Sequence, residues 1–146
     1  MLIFLLLFSC SSPVMDTFNS KELISSKGEK IYINSLNWGV TDDNQITAIS
    51  SDKEKVKERS DTLDAVKGLE PFIYSFKSDS LKLFFHNEIT FEVKENFKTI
   101  HVSYIVLRAK EHNNIRQKAY NNDEYHSVPM RDKNAYPSDM PKSPSK

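Results

Sequence analysis

Glycine and cysteine are scarce in this chain: three glycines and one cysteine occur in 146 residues. Phosphate cradles are built on clustered glycines, and no Walker-type loop, dinucleotide fingerprint or Gly-x-Ser-x-Gly elbow is present, so the sequence offers no support for those chemistries. With Cys10 the sole cysteine, neither an intrachain disulfide nor a cysteine-based metal site can form. Charge of one sign is also lacking, with 20 basic against 20 acidic residues. No basic field exists to draw nucleic acid and no acidic field to draw cationic substrates. Nor does any stretch approach the roughly 20 apolar residues that a bilayer span requires.

The chain opens instead with a short apolar run, Leu2 to Phe8. As a helix it would cover about 10 Å, too little for a membrane but at the lower limit of a signal-peptide apolar region. Small Ser9 follows, and cleavage is expected between Ser9 and Cys10, making residues 1–9 a signal peptide. The run departs from the usual pattern in having no Lys or Arg ahead of Cys10. At Leu7-Phe8-Ser9-Cys10 the segment resembles the lipobox of bacterial lipoproteins. The resemblance implies diacylglycerol on the Cys10 thiol, cleavage before it, and acylation of the new amino terminus with a chain such as palmitate. Two or three acyl chains, at about 0.8 kcal/mol per buried methylene, anchor a soluble domain stably where one would be marginal. The location implied is the bacterial cell envelope, lipid-anchored to the outer membrane and facing the periplasm or the surface.

Residues 10–29 are polar and read as a lipidated tether, able to lift the domain by up to roughly 60 Å when extended. Residues 30–108 carry the period-two apolar pattern of strands. Lys30 to Val40 and Gln45 to Ser50, joined by Thr41-Asp42-Asp43-Asn44, predict a first hairpin. Pro71 to Lys77 and Ser80 to His86 flank a two-residue turn at Ser78-Asp79, which lacks the glycine such turns prefer. Glu88 to Lys94 shows the cleanest alternation, and Thr99 to Arg108 answers it. Six such strands with short polar turns describe an all-β fold, a small antiparallel β-sandwich or partly open barrel. Ser51 to Leu69 is charged and reads as a loop with at most a short helix, the Ser51 and Glu54 pair offering a capping box. Residues 109–146 hold four of the six prolines and few large aliphatics. Ordering costs about 1–2 kcal/mol per residue, so this polar tail is expected to be largely disordered.

Candidate chemistry is thin. His86 and His101 lie on strands that could be neighbours, and Glu88 might complete a site with them. No tight ligand spacing occurs, and His112 and His126 fall in the tail, so neither a metal nor a cofactor is expected. The Asp42-Asp43-Asn44 run lacks the further ligands of a calcium loop and reads as a turn. A small hydrolase or sugar-processing enzyme would require at least two of Asp61, Asp64, Glu70, His86, Glu88 and His101 to converge in a pocket. A small-ligand carrier would need an enclosed apolar cavity inside a barrel. Trp38, beside Gly39 at a strand end, is the one candidate binding residue, as a stacking platform for sugar. Lipobox, polar tether, aromatic-rich β domain and polar tail together are similar to small lipoproteins of Gram-negative bacteria of the Bacteroidetes type. That pattern favours a non-catalytic binding or structural module whose partner is another envelope protein or a surface polysaccharide, with no role for nucleic acid.

Overall fold

The computed structural model describes residues 15–121 and 123–130. The expected signal peptide, Cys10 and the last sixteen residues of the tail lie outside them. Two sheets that do not close into a barrel make an all-β fold, to which one helix is added. The first sheet is an antiparallel meander of β1 (Thr17–Ile24), β2 (Lys30–Trp38), β3 (Asn44–Ser50) and the two-residue β4 (Val66–Lys67). The second contains β5 (Ile73–Lys77), β6 (Ser80–His86) and β7 (His101–Leu107), followed directly by α1 (Ala109–Tyr120).

Local chemistry accounts for both expected hairpins. Between β2 and β3 the chain turns at Gly39, where φ is +106°, a conformation that strains any residue with a side chain, and where a Cβ atom would push the Asp43 carboxylate aside. Between β5 and β6, Ser78 and Asp79 both take positive φ, 49° and 59°, the signature of a type I′ turn. Short polar side chains tolerate that conformation without glycine. Asp79 is held further by accepting the Ser26 amide at 2.7 Å and its hydroxyl, which ties this turn to the one between β1 and β2.

The inner faces share a single apolar cluster. Leu23, Ile31, Ile33 and Ile49 from the first sheet meet Tyr74, Leu81, Leu83 and Phe85 from the second, together with Phe72 just ahead of β5. The outer face of the first sheet is covered by the 51–65 loop: Val56, wholly buried, packs with Leu36, Ile46 and Ala48. Val56 pays for its place with φ +59°, rare for a β-branched residue, and its amide donates to the Asp61 carboxylate at 2.8 Å. The loop therefore closes a second small core. Its expected capping box does not form, because the Ser51 amide and hydroxyl bond to Glu95 instead.

Four expectations are corrected. Part of the tether, Thr17–Ile24, is strand β1, paired along its length with β2. Its side chains are mostly exposed, as on an edge strand whose stability comes from the ladder it joins. Glu88 to Lys94 is not a strand. The chain leaves β6 through Asn87 at φ +66° and crosses to β7, which runs parallel to β6. A parallel connection needs a crossover of about a dozen residues, so the antiparallel expectation fails at this pair and residues 87–100 supply the crossover. Alternation in that stretch is real but serves packing: Phe91, Val93, Phe97 and Ile100 join the main cluster, with Phe91 stacked on Phe72 at 5.6 Å. Side chains fasten it in place of a ladder. The Val93 amide donates to the Tyr104 hydroxyl at 3.0 Å, and Glu29 accepts the Lys98 and Thr99 amides at 2.8 and 2.6 Å. Finally, the start of the tail is ordered. Residues 109–120 form α1, and Val128 is buried in the main core.

Candidate functional site

Helix α1 begins where β7 ends, with the Glu111 carboxylate accepting the Arg108 amide at 3.4 Å. Ile115 and Ala119, four residues apart on one face, bury themselves against Ile73, Phe84, Ile105 and Leu107 on the outside of the second sheet. A helix of twelve residues is too short to persist in water by itself, so this contact holds it.

Docking α1 across the sheet leaves a cleft of about 710 Å³ between the helix and the 69–73 segment. Its helical wall carries His112, Asn113, Arg116, Gln117 and Tyr120; Leu69, Glu70 and Ile73 face them. Arg116 donates to the Glu70 carboxylate at 3.4 Å across the opening. Glu70 itself sits at φ +46°, an unusual conformation for a residue other than glycine and one that marks functional sites often enough to be noted. On the helical wall, His112 lies 5.3 Å from His86, ring to ring. Burial, then the charges of His86 and Arg116, hold the His112 pKa below its ordinary value, so its ring is neutral at neutral pH and can donate or accept a hydrogen bond.

The chemistry assembled here is polar, with one aromatic surface. Asn113, Gln117 and Asn121 present amides, each both donor and acceptor, beside Tyr120, which is half exposed. Such a surface can grip a hydroxyl-rich or amide-rich ligand.

The residues weighed from sequence are dispersed. Asp61 is held by Lys55 and the Val56 amide, which lower its pKa, within the loop on the opposite side of the molecule's first sheet. Asp64 lines a separate cavity with Ile89, Thr90 and Glu92. Glu88 is exposed in the crossover. His86 ends β6 whereas His101 pairs with Ser80 at that strand's start, so the two are not neighbours. Asp42 and Asp43 lie in the β2–β3 turn, and Asn44 opens β3 opposite Trp38. Among the described residues, no three His, Cys, Asp or Glu side chains gather as a metal site would require. Trp38 is half buried against the Leu36 cluster, and the Arg59 guanidinium lies 5.3 Å from its ring centroid. Arg59 is itself fixed by Asp16, with Nε donating at 2.8 Å. That ring face is covered by protein.

Of the cleft, the sequence marks Glu70 and His112 as candidates and presents Tyr120 as a solvated or loosely docked tail residue, whereas Arg116, Asn113 and Gln117 go unmarked with the helix that bears them. The usable signal was the Ile115 and Ala119 spacing, with Glu111 in the first turn, Lys118 in the last, and neither Gly nor Pro between residues 109 and 120. No protein family, curated protein or solved structure matches this chain.

Proposed function

We propose that this chain is a lipid-anchored bacterial envelope protein, held in the outer membrane by acyl chains on Cys10, whose β domain is a non-catalytic module that binds a surface polysaccharide in the α1 cleft. The lipobox residues Leu7-Phe8-Ser9-Cys10 support the anchor. The observation that carries the binding role is the cleft's lining, in which amides and an Arg116–Glu70 pair surround the exposed Tyr120. Planar amides and ion pairs match vicinal hydroxyls, and an aromatic face receives the apolar face of a sugar ring. Binding is favoured over hydrolysis because the carboxylates once weighed for catalysis stand in different places, with Asp61 and Glu70 each engaged by a cation. The body that carries the cleft is read as a small open β-sandwich, supported by the core shared between its two sheets.

Affinity gel electrophoresis with polysaccharide purified from the native envelope tests the binding role. Retardation of the wild type that is lost in Tyr120→Ala and Arg116→Ala is the expected result; equal mobility with and without polysaccharide overturns it. The anchor is tested separately. Cys10→Ala should move the protein from the membrane to the soluble fraction, and an unchanged partition refutes acylation.

A further inference from the structure

A second feature of the fold is the outer edge of β5. After α1 the chain returns as a strap, residues 123–130, along the free edge of β5. Tyr74 and His126 exchange backbone hydrogen bonds, the Tyr74 amide donating at 2.9 Å and the His126 amide at 2.8 Å. Side chains of the strap alternate as in a strand. Tyr125 packs on Phe84 at the outer face, His126 lies 5.2 Å from the Tyr74 ring, and Val128 enters the main core. Yet the ladder stops at one rung.

The cause is local. In the β5–β6 pairing the turn closes on Lys77 and Ser80, so Ile73, Ser75 and Lys77 bond inward while Tyr74 and Phe76 direct their amides and carbonyls to the open edge. The next antiparallel rung would join Phe76 to Glu124. Glu124 takes φ +61° and turns the strap away from the edge. Beside the unfilled rung lies a cleft of about 660 Å³, lined by Ser75, Phe76, Lys77, Lys82, Glu124 and Tyr125 among others. It carries two lysines, of which Lys77 reaches Glu124 only at 3.9 Å, between side chains that are both largely exposed. Under the strap, the Tyr74 hydroxyl and the His126 Nδ1 are buried without a protein hydrogen-bond partner. The strap fills its place imperfectly.

We propose that the β5 edge is a strand-addition site for an extended, acidic segment of a partner protein. That segment displaces residues 124–126 and pairs antiparallel with both Tyr74 and Phe76, its acidic side chain meeting Lys77 and Lys82. Main-chain bonds supply the affinity in such complexes and alternate side chains the specificity. An edge left open also invites unwanted pairing, and the strap, one rung deep, shields it until the partner arrives. Val128 stays in the core, where its carbonyl accepts from the Gln45 side chain at 3.2 Å, and keeps the strap at hand.

The probe is a synthetic octapeptide of the strap sequence Asp123–Met130 carrying Glu124→Thr, which lets it remain extended past the first rung. It is titrated into the full chain and into its His126→Pro variant, which lacks the amide that donates to Tyr74. Expected is binding at least tenfold tighter to H126P than to wild type, with the Phe76 amide newly protected from hydrogen exchange in the complex. Absence of Phe76 protection overturns the proposal. So does a concentration-dependent dimer of H126P that ignores the peptide, because that assigns the edge to a second copy. Should H126P fail to fold, exchange in the wild type decides. The Tyr74 amide, bonded only to the strap, should exchange at least a hundredfold faster than the Leu83 amide in central β6, and equal protection of the two refutes a displaceable strap.

Discussion

Replacing Ile115 by alanine tests the argument that docking, and not helix propensity, builds the cleft. Ile115 is 7% exposed and packs with Ala119 on Ile73, Phe84, Ile105 and Leu107. The change removes three carbon atoms, which at about 0.8 kcal/mol each is about 2.4 kcal/mol of lost burial. A residual cavity raises the cost and settling of the helix lowers it, so about 2–3 kcal/mol is expected, in the lower part of the range for such truncations. The loss should be largely local. With only twelve residues, α1 has little stability of its own, so its amides should exchange far faster while those of β2 and β6 keep their protection. Residues His112, Arg116 and Tyr120 would then no longer be held opposite Glu70, and retention of polysaccharide should fall with helix order. Urea unfolding followed by circular dichroism, together with residue-resolved exchange, measures both quantities. Asn114→Ala, at an exposed position on the same helix, serves as the control and should change stability by less than about 0.5 kcal/mol. If I115A lost under about 1 kcal/mol and α1 stayed as protected as in the wild type, the docking argument would be refuted.

Three further outcomes are expected. His112 and His126 have pKa values held below the ordinary 6.5, by burial first in both, then by His86 and Arg116 for the former and Lys21 for the latter. The unfolded chain therefore takes up protons first, so their contribution is complete above pH 6.5 and is lost as the pH falls from there through the lower folded values. A urea midpoint that declines between about pH 6.5 and 5 in the wild type, and is flatter in a His112→Gln, His126→Gln double variant, checks this. Ser78→Asn should raise stability by roughly 0.5 kcal/mol, because asparagine suits the left-handed first position of a type I′ turn better than serine, and a lower thermal midpoint would contradict the turn assignment. Asp61→Ala deprives the buried Val56 amide and Lys55 of their shared acceptor. It should cost about 1–3 kcal/mol in urea unfolding, and a neutral result would show that the 51–65 loop does not depend on that carboxylate.

Five of the strands are legible in the sequence, because β2, β3, β5, β6 and β7 each repeat apolar residues at period two between turn-forming residues. The Ser78-Asp79 turn could be placed without glycine, since two polar residues between two alternating runs leave few other connections. Edge strand β1 escaped notice. It buries little beyond Leu23 and draws its stability from β2, so its own pattern is nearly silent. The alternation at Glu88 to Lys94 misled in the opposite way. A period of two reports which side chains face the core, and Phe91 and Val93 do, but it carries no information about whether a neighbouring backbone is present to pair with. Helix α1 shows only two apolar positions to a periodicity argument, too narrow a stripe to outweigh the polar composition around it.

Composition and local pattern thus settled the strand-built body and its hairpins, since these depend on residues within a few positions of one another. Tertiary structure alone decided the parallel β6–β7 pair, the packing of a twelve-residue helix across the second sheet, and the return of residues 123–130 to the β5 edge. Each of these joins backbone or side chains far apart in the chain through burial and hydrogen bonding, as when Glu70 meets Arg116, 46 residues on, across the cleft. Such contacts exist only once the sheets have met, and no spacing in the sequence encodes them.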